Sequence, residues 1–185
     1  MKALLLLLAS CAFSTGCAVV GSKTPVGQEI VPLEAAKWDG LWVGVQGSAH
    51  LRVLDSEGGQ MEAWNPQEEE ANRFRFEVRS GQGWQFVNLR TDEAEEKWLW
   101  APFVRHDGPD FAELVVYLPN SASFAEFIRT ERLPGTIDGE SVVLGPLQEA
   151  HLAVLTDPKN AWLYRLDGLL VLRRDHPPAA TLPEE

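Results

Sequence analysis

Between Trp38 and Tyr117 apolar and polar residues alternate in short runs, and glycines, asparagines and acidic residues separate the runs. The clearest run is Arg73-Phe74-Arg75-Phe76-Glu77-Val78-Arg79, where Phe74, Phe76 and Val78 share one face and the charges share the other. A period of two marks a half-buried strand. The same pattern predicts strands over residues 38–46, 49–54, 60–64, 84–90, 97–104 and 111–118. In 84–90, Trp84 and Phe86 fall on one face while Val87 and Leu89 fall on the other, which predicts a bulge or burial on both sides. Pro102 has no N–H to offer a ladder, so it belongs at an edge or a bulge.

After Tyr117 the period lengthens. Ser123-Phe124-Ala125-Glu126 has capping-box spacing, and Phe124, Phe127 and Ile128 follow at helical intervals until Leu133-Pro134-Gly135. A strand is predicted over 141–144, a second helix over 147–155, and closing strands over 162–166 and 169–173. The expected fold is mainly β: an antiparallel meander closing as a barrel or strongly curved sheet, with about two helices inserted before the final strands. Closure would remove exposed strand edges.

Residues 1–16 read as a secretory signal. Lys2 supplies one positive charge, an apolar stretch runs from Ala3 to Phe13, and Ser14-Thr15-Gly16-Cys17 forms a small-residue exit. A spanning helix needs about 20 apolar residues, so this stretch is too short to be one. Residues 17–37, rich in glycine and proline and without a sustained period, read as a modified cysteine and tether. A single β-rich domain follows over 38–174, and 175–185 reads as a loose tail. Without Lys2, 15 of the 16 basic residues remain against 27 acidic ones, a formal charge of −12. That balance argues against nucleic acid or anionic lipid as a partner.

The Gly16-Cys17 exit resembles the lipobox of bacterial lipoprotein signals. The resemblance implies that Cys17 carries lipid, and Ala18 after it implies the outer membrane, with the domain facing the periplasm. Leu8-Ala9-Ser10-Cys11 is the alternative, but it leaves a shorter apolar region. Cys11 and Cys17 are the two cysteines of the chain, so a protein starting at Cys17 has no internal disulfide, which fits acylation better than oxidation.

Gly40-Leu41-Trp42 resembles the Gly-x-Trp that opens lipocalin-like (calycin) barrels. The resemblance implies that Trp42 plugs one barrel end and that Arg173 or Arg174 covers it. The chain departs from that pattern in three places. The family's middle motif is not found, the loop after the first strand is short (Gly47-Ser48), and two helical segments precede the final strands. A core tryptophan in an unrelated β fold remains the other reading of Trp42.

Candidate chemistry is sparse. His50, His106, His151 and His176 are scattered without metal-ligand spacing, so no metal or cofactor is expected. Gly139-Glu140-Ser141 lacks the second glycine of a nucleophile elbow, and no phosphate-binding glycine loop occurs. No catalytic residue is assigned. Seven tryptophans stand out, and Trp98 and Trp100 share a strand face. With Trp84 they are candidates for stacking on an apolar ligand, against the alternative that they fill the core. Two runs of acid, Glu68-Glu69-Glu70 and Asp92-Glu93-Ala94-Glu95-Glu96, lie in loops that a meander brings to one rim. The expectations are therefore a lipid-anchored module holding a small apolar ligand, or an interaction protein docking a cationic periplasmic protein on that rim.

Overall fold

In the computed structural model, which describes residues 18–66, 73–91, 97–165 and 169–175, the alternating runs pair in chain order. The strands are β1 (Val20–Ser22), β2 (Glu29–Ile30), β3 (Gly40–Gly44), β4 (Gly47–Asp55), β5 (Gln60–Trp64) and β6 (Phe74–Gly81). They continue as β7 (Trp84–Arg90), β8 (Trp98–Asp107), β9 (Phe111–Val116), β10 (Gly135–Asp138), β11 (Ser141–Leu144) and β12 (Leu170–Asp175). Helices α1 (Ala35–Trp38), α2 (Ser121–Arg129) and α3 (Glu149–Thr156) join them, with a 3-10 helix over Pro158–Leu163.

Strands β3 to β9 form an antiparallel meander, and β12 pairs with both β9 and β3, so eight strands close into a barrel. Glycine makes the closure possible. A Cβ on Gly44 would collide with the Val171 carbonyl of β12, so only a bare backbone lets the two strands meet there. The inward faces supply the first core, including Trp42, Leu51, Met61, Phe76, Phe103 and Leu172.

A second layer covers the outer face of β7 and β8. Phe86 and Trp100 point away from the barrel into a separate core built with Phe124, Phe127, Leu152 and Leu163. Val87 and Leu89 pack on the barrel core, and the β6–β7–β8 registers run without a shift. The run 84–90 is thus buried on both sides and carries no bulge. Pro102 sits where β8 changes neighbour: its first residues pair with β1 and its later ones with β9. Its carbonyl accepts from the Tyr117 N–H, so its nitrogen faces the same gap, where no ladder donor is needed.

Three expectations are corrected. The tether over 17–37 is instead built into the fold from residue 18 onward: β1 bridges β8 and β11, β2 pairs with β6, and Val26 and Leu33 are buried. The domain therefore begins well before residue 38. Asn88, buried in the β7 face, clips this segment through bonds to the Val26 N–H (2.7 Å) and carbonyl (3.0 Å). The strand expected over 162–166 is not formed by the described residues 162–165: Trp162 and Leu163 are in a 3-10 helix and Tyr164 makes an isolated bridge to Pro119. Pro158 and the Asp157 side chain, which accepts from Lys159 N, start the 3-10 helix that takes in Trp162. The N-cap of α2 is Asn120, whose side chain accepts from the Ala122 and Ser123 N–H groups, while the Ser123 hydroxyl donates to the Trp162 carbonyl.

Candidate functional site

The barrel interior encloses a cavity of about 80 Å³ walled by apolar side chains, among them Trp38, Leu51, Met61, Phe76, Phe103 and Leu172. α1 closes one end. Its Trp38 meets Phe103 edge-on at 5.8 Å and Trp42 at 6.2 Å, and the Trp42 indole donates to the Trp38 carbonyl at 2.9 Å. Two arginines lie above these rings. The Arg174 guanidinium stands 5.5 Å from the Trp42 ring centroid, and that of Arg105 stands 4.9 Å from Trp38. Arg105 pairs with Asp107 at 2.5 Å. Burial and the nearby Arg105 charge hold the Arg174 pKa below the usual arginine value, against the opposite pull of Asp107 and Asp39.

Of the two arginines singled out in the sequence, Arg174 covers Trp42, while Arg173 lies over Phe111, 3.8 Å from its centroid. Gly40 adopts φ +133° beneath the Arg174 side chain, a conformation that only glycine takes without strain.

Trp84, Trp98 and Trp100 do not line the cavity. Trp100 is buried in the second core against Phe86 and Phe124, and its Nε1 has no hydrogen-bond partner. Trp84 stacks on Tyr164 at 6.1 Å, and Trp98 pairs with Ser22 of β1. Phe124 of α2 covers Trp100, whereas Trp98 is half-buried and belongs to neither core. Of the residues that do shape the cavity, Met61 fits the inward period of its run, whereas Trp38 lies in α1 and not in the strand expected over 38–46, and period alone cannot separate a cavity wall from a filled core.

The connections β3–β4, β5–β6 and β7–β8 all leave from the barrel end opposite α1, as antiparallel pairing requires. Glu68, Glu69, Glu70, Asp92, Glu93, Glu95 and Glu96 lie outside the described residues, and so do Cys17 and His176.

Among the described residues no group of three or more His, Cys, Asp or Glu side chains is placed to hold a metal, and no helix is long and apolar enough to cross a membrane. His50 stacks on Trp64 at 4.8 Å. His106 belongs to β8, not to the turn after it, and the His151 Nδ1 accepts from the Gln148 N–H to cap α3. The Tyr164 hydroxyl donates to the Leu155 carbonyl at 3.0 Å, and burial raises its pKa well above the usual tyrosine value. Comparison with protein-family models, curated proteins and solved structures finds no match for this chain.

Proposed function

We propose that this chain is a lipid-anchored, non-catalytic binding module of the bacterial outer membrane, facing the periplasm and taking a small apolar group into its barrel. The carrying observation is the apolar cavity lined at one end by Trp38, which packs against Trp42. Its size bounds the ligand. About 80 Å³ is roughly half of a ~150 Å³ cavity that admits benzene, and far below the ~300–1,000 Å³ of sites that enclose whole drug-sized molecules. The ligand therefore inserts a chain end or a similarly small group and leaves the rest outside.

Lipid on Cys17 supplies the anchor in this reading. Val20 is already in the sheet, so only Ala18 and Val19 separate it from Cys17, a reach of about 10 Å. The domain then lies against the bilayer instead of standing off on a tether. Radiolabelled fatty acid should enter the wild type and not Cys17→Ser; labelling that persists in that variant and disappears only with Cys11→Ser would move the anchor. For the cavity, small apolar probes such as benzene should raise the melting temperature, and Ala63→Phe, which fills the cavity, should abolish the shift. No shift with any apolar probe would end the ligand reading.

Docking of a cationic protein at the acidic connections is a second reading, supported by the common end from which β5–β6 and β7–β8 leave. Neutralising both acidic runs should weaken such binding and flatten its salt dependence.

A further inference from the structure

The outer side of β3 is apolar and bare. Leu41 is 44% exposed, Val43 52% and Val45 fully, and Val171 on neighbouring β12 is 40% exposed. These four are more than half of the large apolar residues exposed among the described residues: Leu41 and Val43 on β3, Val171 on the adjacent β12, and Val45 in the turn that follows β3. Singly scattered apolar residues are ordinary on a surface, whereas a contiguous group marks an interaction site. The contrast across the barrel is direct: β3 lies opposite β7 in the eight-strand ring, and the outer apolar residues of β7 are covered by the second layer.

Register extends the strip. Leu41 pairs with His50, which pairs with Trp64, and the His50–Trp64 stack continues the surface across β4 and β5. Arginines border it. Arg173 pairs opposite Val43, the Arg73 guanidinium lies 4.7 Å from the Trp64 centroid, and Arg52 is two residues beyond His50. The carboxylates on β5 and β6 are already held: Glu62 by Arg52 (2.6 Å) and Arg73 (2.9 Å), and Glu77 by Arg79. With Glu62 shared by Arg52 and Arg73 and with Glu113 opposite Arg173, these three arginines exceed their two carboxylates by one, a small positive excess on a chain of net charge −11.

We propose that this β12–β3–β4 wall docks a protein partner that presents apolar side chains flanked by carboxylates. An apolar centre with tryptophan and arginine around it is the composition of protein-interface hot spots. β3 is paired on both sides, so the partner packs on the face and cannot add a strand. A lipid bilayer is the poorer occupant. β1, which follows Cys17, lies along β8, three strands from β3 in the ring, so an anchor at Cys17 sets β8, and not the centre of the wall, nearest its own membrane. That last clause rests on the anchoring reading; the composition of the wall does not.

The test uses the full chain after the signal with Cys17→Ser, so it is independent of lipidation. The probes are two synthetic amphipathic helical peptides of equal length, one of leucine and glutamate and the other of leucine and lysine, followed by fluorescence anisotropy. The acidic peptide should bind and weaken as salt rises, and the lysine peptide should not bind. Val43→Asp, at an exposed position, should weaken acidic-peptide binding at least tenfold with an unchanged melting temperature, and Arg173→Glu should do so as well. Equal binding of both peptides, or no effect of Val43→Asp, would overturn the proposal. Val43-dependent binding to phosphatidylglycerol vesicles without peptide binding would assign the wall to a membrane. A Val43-dependent dimer in sedimentation would assign it to a second copy.

Discussion

Arg174 fastens Trp42 in place from the other end of the fold. Its guanidinium lies 5.5 Å from the indole centroid, and its two Nη atoms donate to the carbonyls of Asp39 (2.6 Å) and Ala36 (3.1 Å). One side chain of β12 thus holds both α1 and the start of β3 across the seam where the barrel closes. Arg174→Met should cost about 1–3 kcal/mol, from the lost charge-assisted bonds and cation–π contact. Arg173→Met, which leaves the Trp42 cap intact, should cost less than about 1 kcal/mol. Urea unfolding of the two variants checks the order.

Asn88 is the corresponding clip for the N-terminal segment. Its amide satisfies both the donor and the acceptor of Val26, which is completely buried. Asn88→Leu keeps the volume and orphans both groups, each at about 1–3 kcal/mol. The expected result is a large loss of stability in denaturant unfolding, together with faster amide exchange at Val26. Protection at Val26 equal to wild type would show that the clip is redundant.

The barrel strands were legible because each needs only its own alternation: Phe74, Phe76 and Val78 announce an inward face without reference to any partner. The Trp42–Arg174 pairing was half legible, since the resemblance to lipocalin-like barrels nominated two arginines and only the register of β12 against β3 chooses between them. The segment 18–37 was not legible. Val26 and Leu33 are isolated apolar residues among glycines and prolines, and what orders Val26 is an asparagine 62 positions away. Trp84 and Trp100 carried a signal read too narrowly. A strand apolar on both faces needs a second layer, and that layer buries Trp100 and packs against Trp84.

A chain trimmed to residues 38–174 should accordingly be much less stable than one beginning at Ala18. Trimming removes Val20 and Val26 from the second core and Leu33 from the first. Full burial of such side chains is worth about 1.5–3 kcal/mol each, as an upper estimate. Thermal unfolding of the two chains under reducing conditions decides it. Equal melting temperatures would mean that the segment lies on the fold without stabilising it.

Met61 lines the cavity and is 4% exposed. Met61→Ala should cost about 2–5 kcal/mol, because it removes packed methylenes and enlarges a space that already lacks contacts. The same change should admit larger apolar probes. Stability and uptake therefore move in opposite directions, as measured by unfolding and by benzene-induced shifts in melting temperature. A variant that lost stability without gaining uptake would indicate that the barrel collapses to fill the space.

Tyr164 makes stability fall at high pH. Its hydroxyl is buried and donates to the Leu155 carbonyl, so burial raises its pKa far above the ordinary value of 10.0. The unfolded chain loses the proton near that ordinary value while the folded chain keeps it. From there upward the unfolded state binds fewer protons, and stability declines as pH rises. The contribution is complete below about pH 10 and is lost progressively through the raised folded-state pKa. Tyr164→Phe removes the titrating group, so its stability should lose that part of the alkaline slope, after a cost at neutral pH of about 0.5–1.5 kcal/mol for the hydrogen bond. Absorbance at 295 nm follows tyrosinate formation, and Tyr117→Phe leaves Tyr164 as the one tyrosine of the chain. In the wild type the Tyr164 signal should rise only with unfolding, and a reversible rise near pH 10 in folded Tyr117→Phe would show that the hydroxyl is not buried.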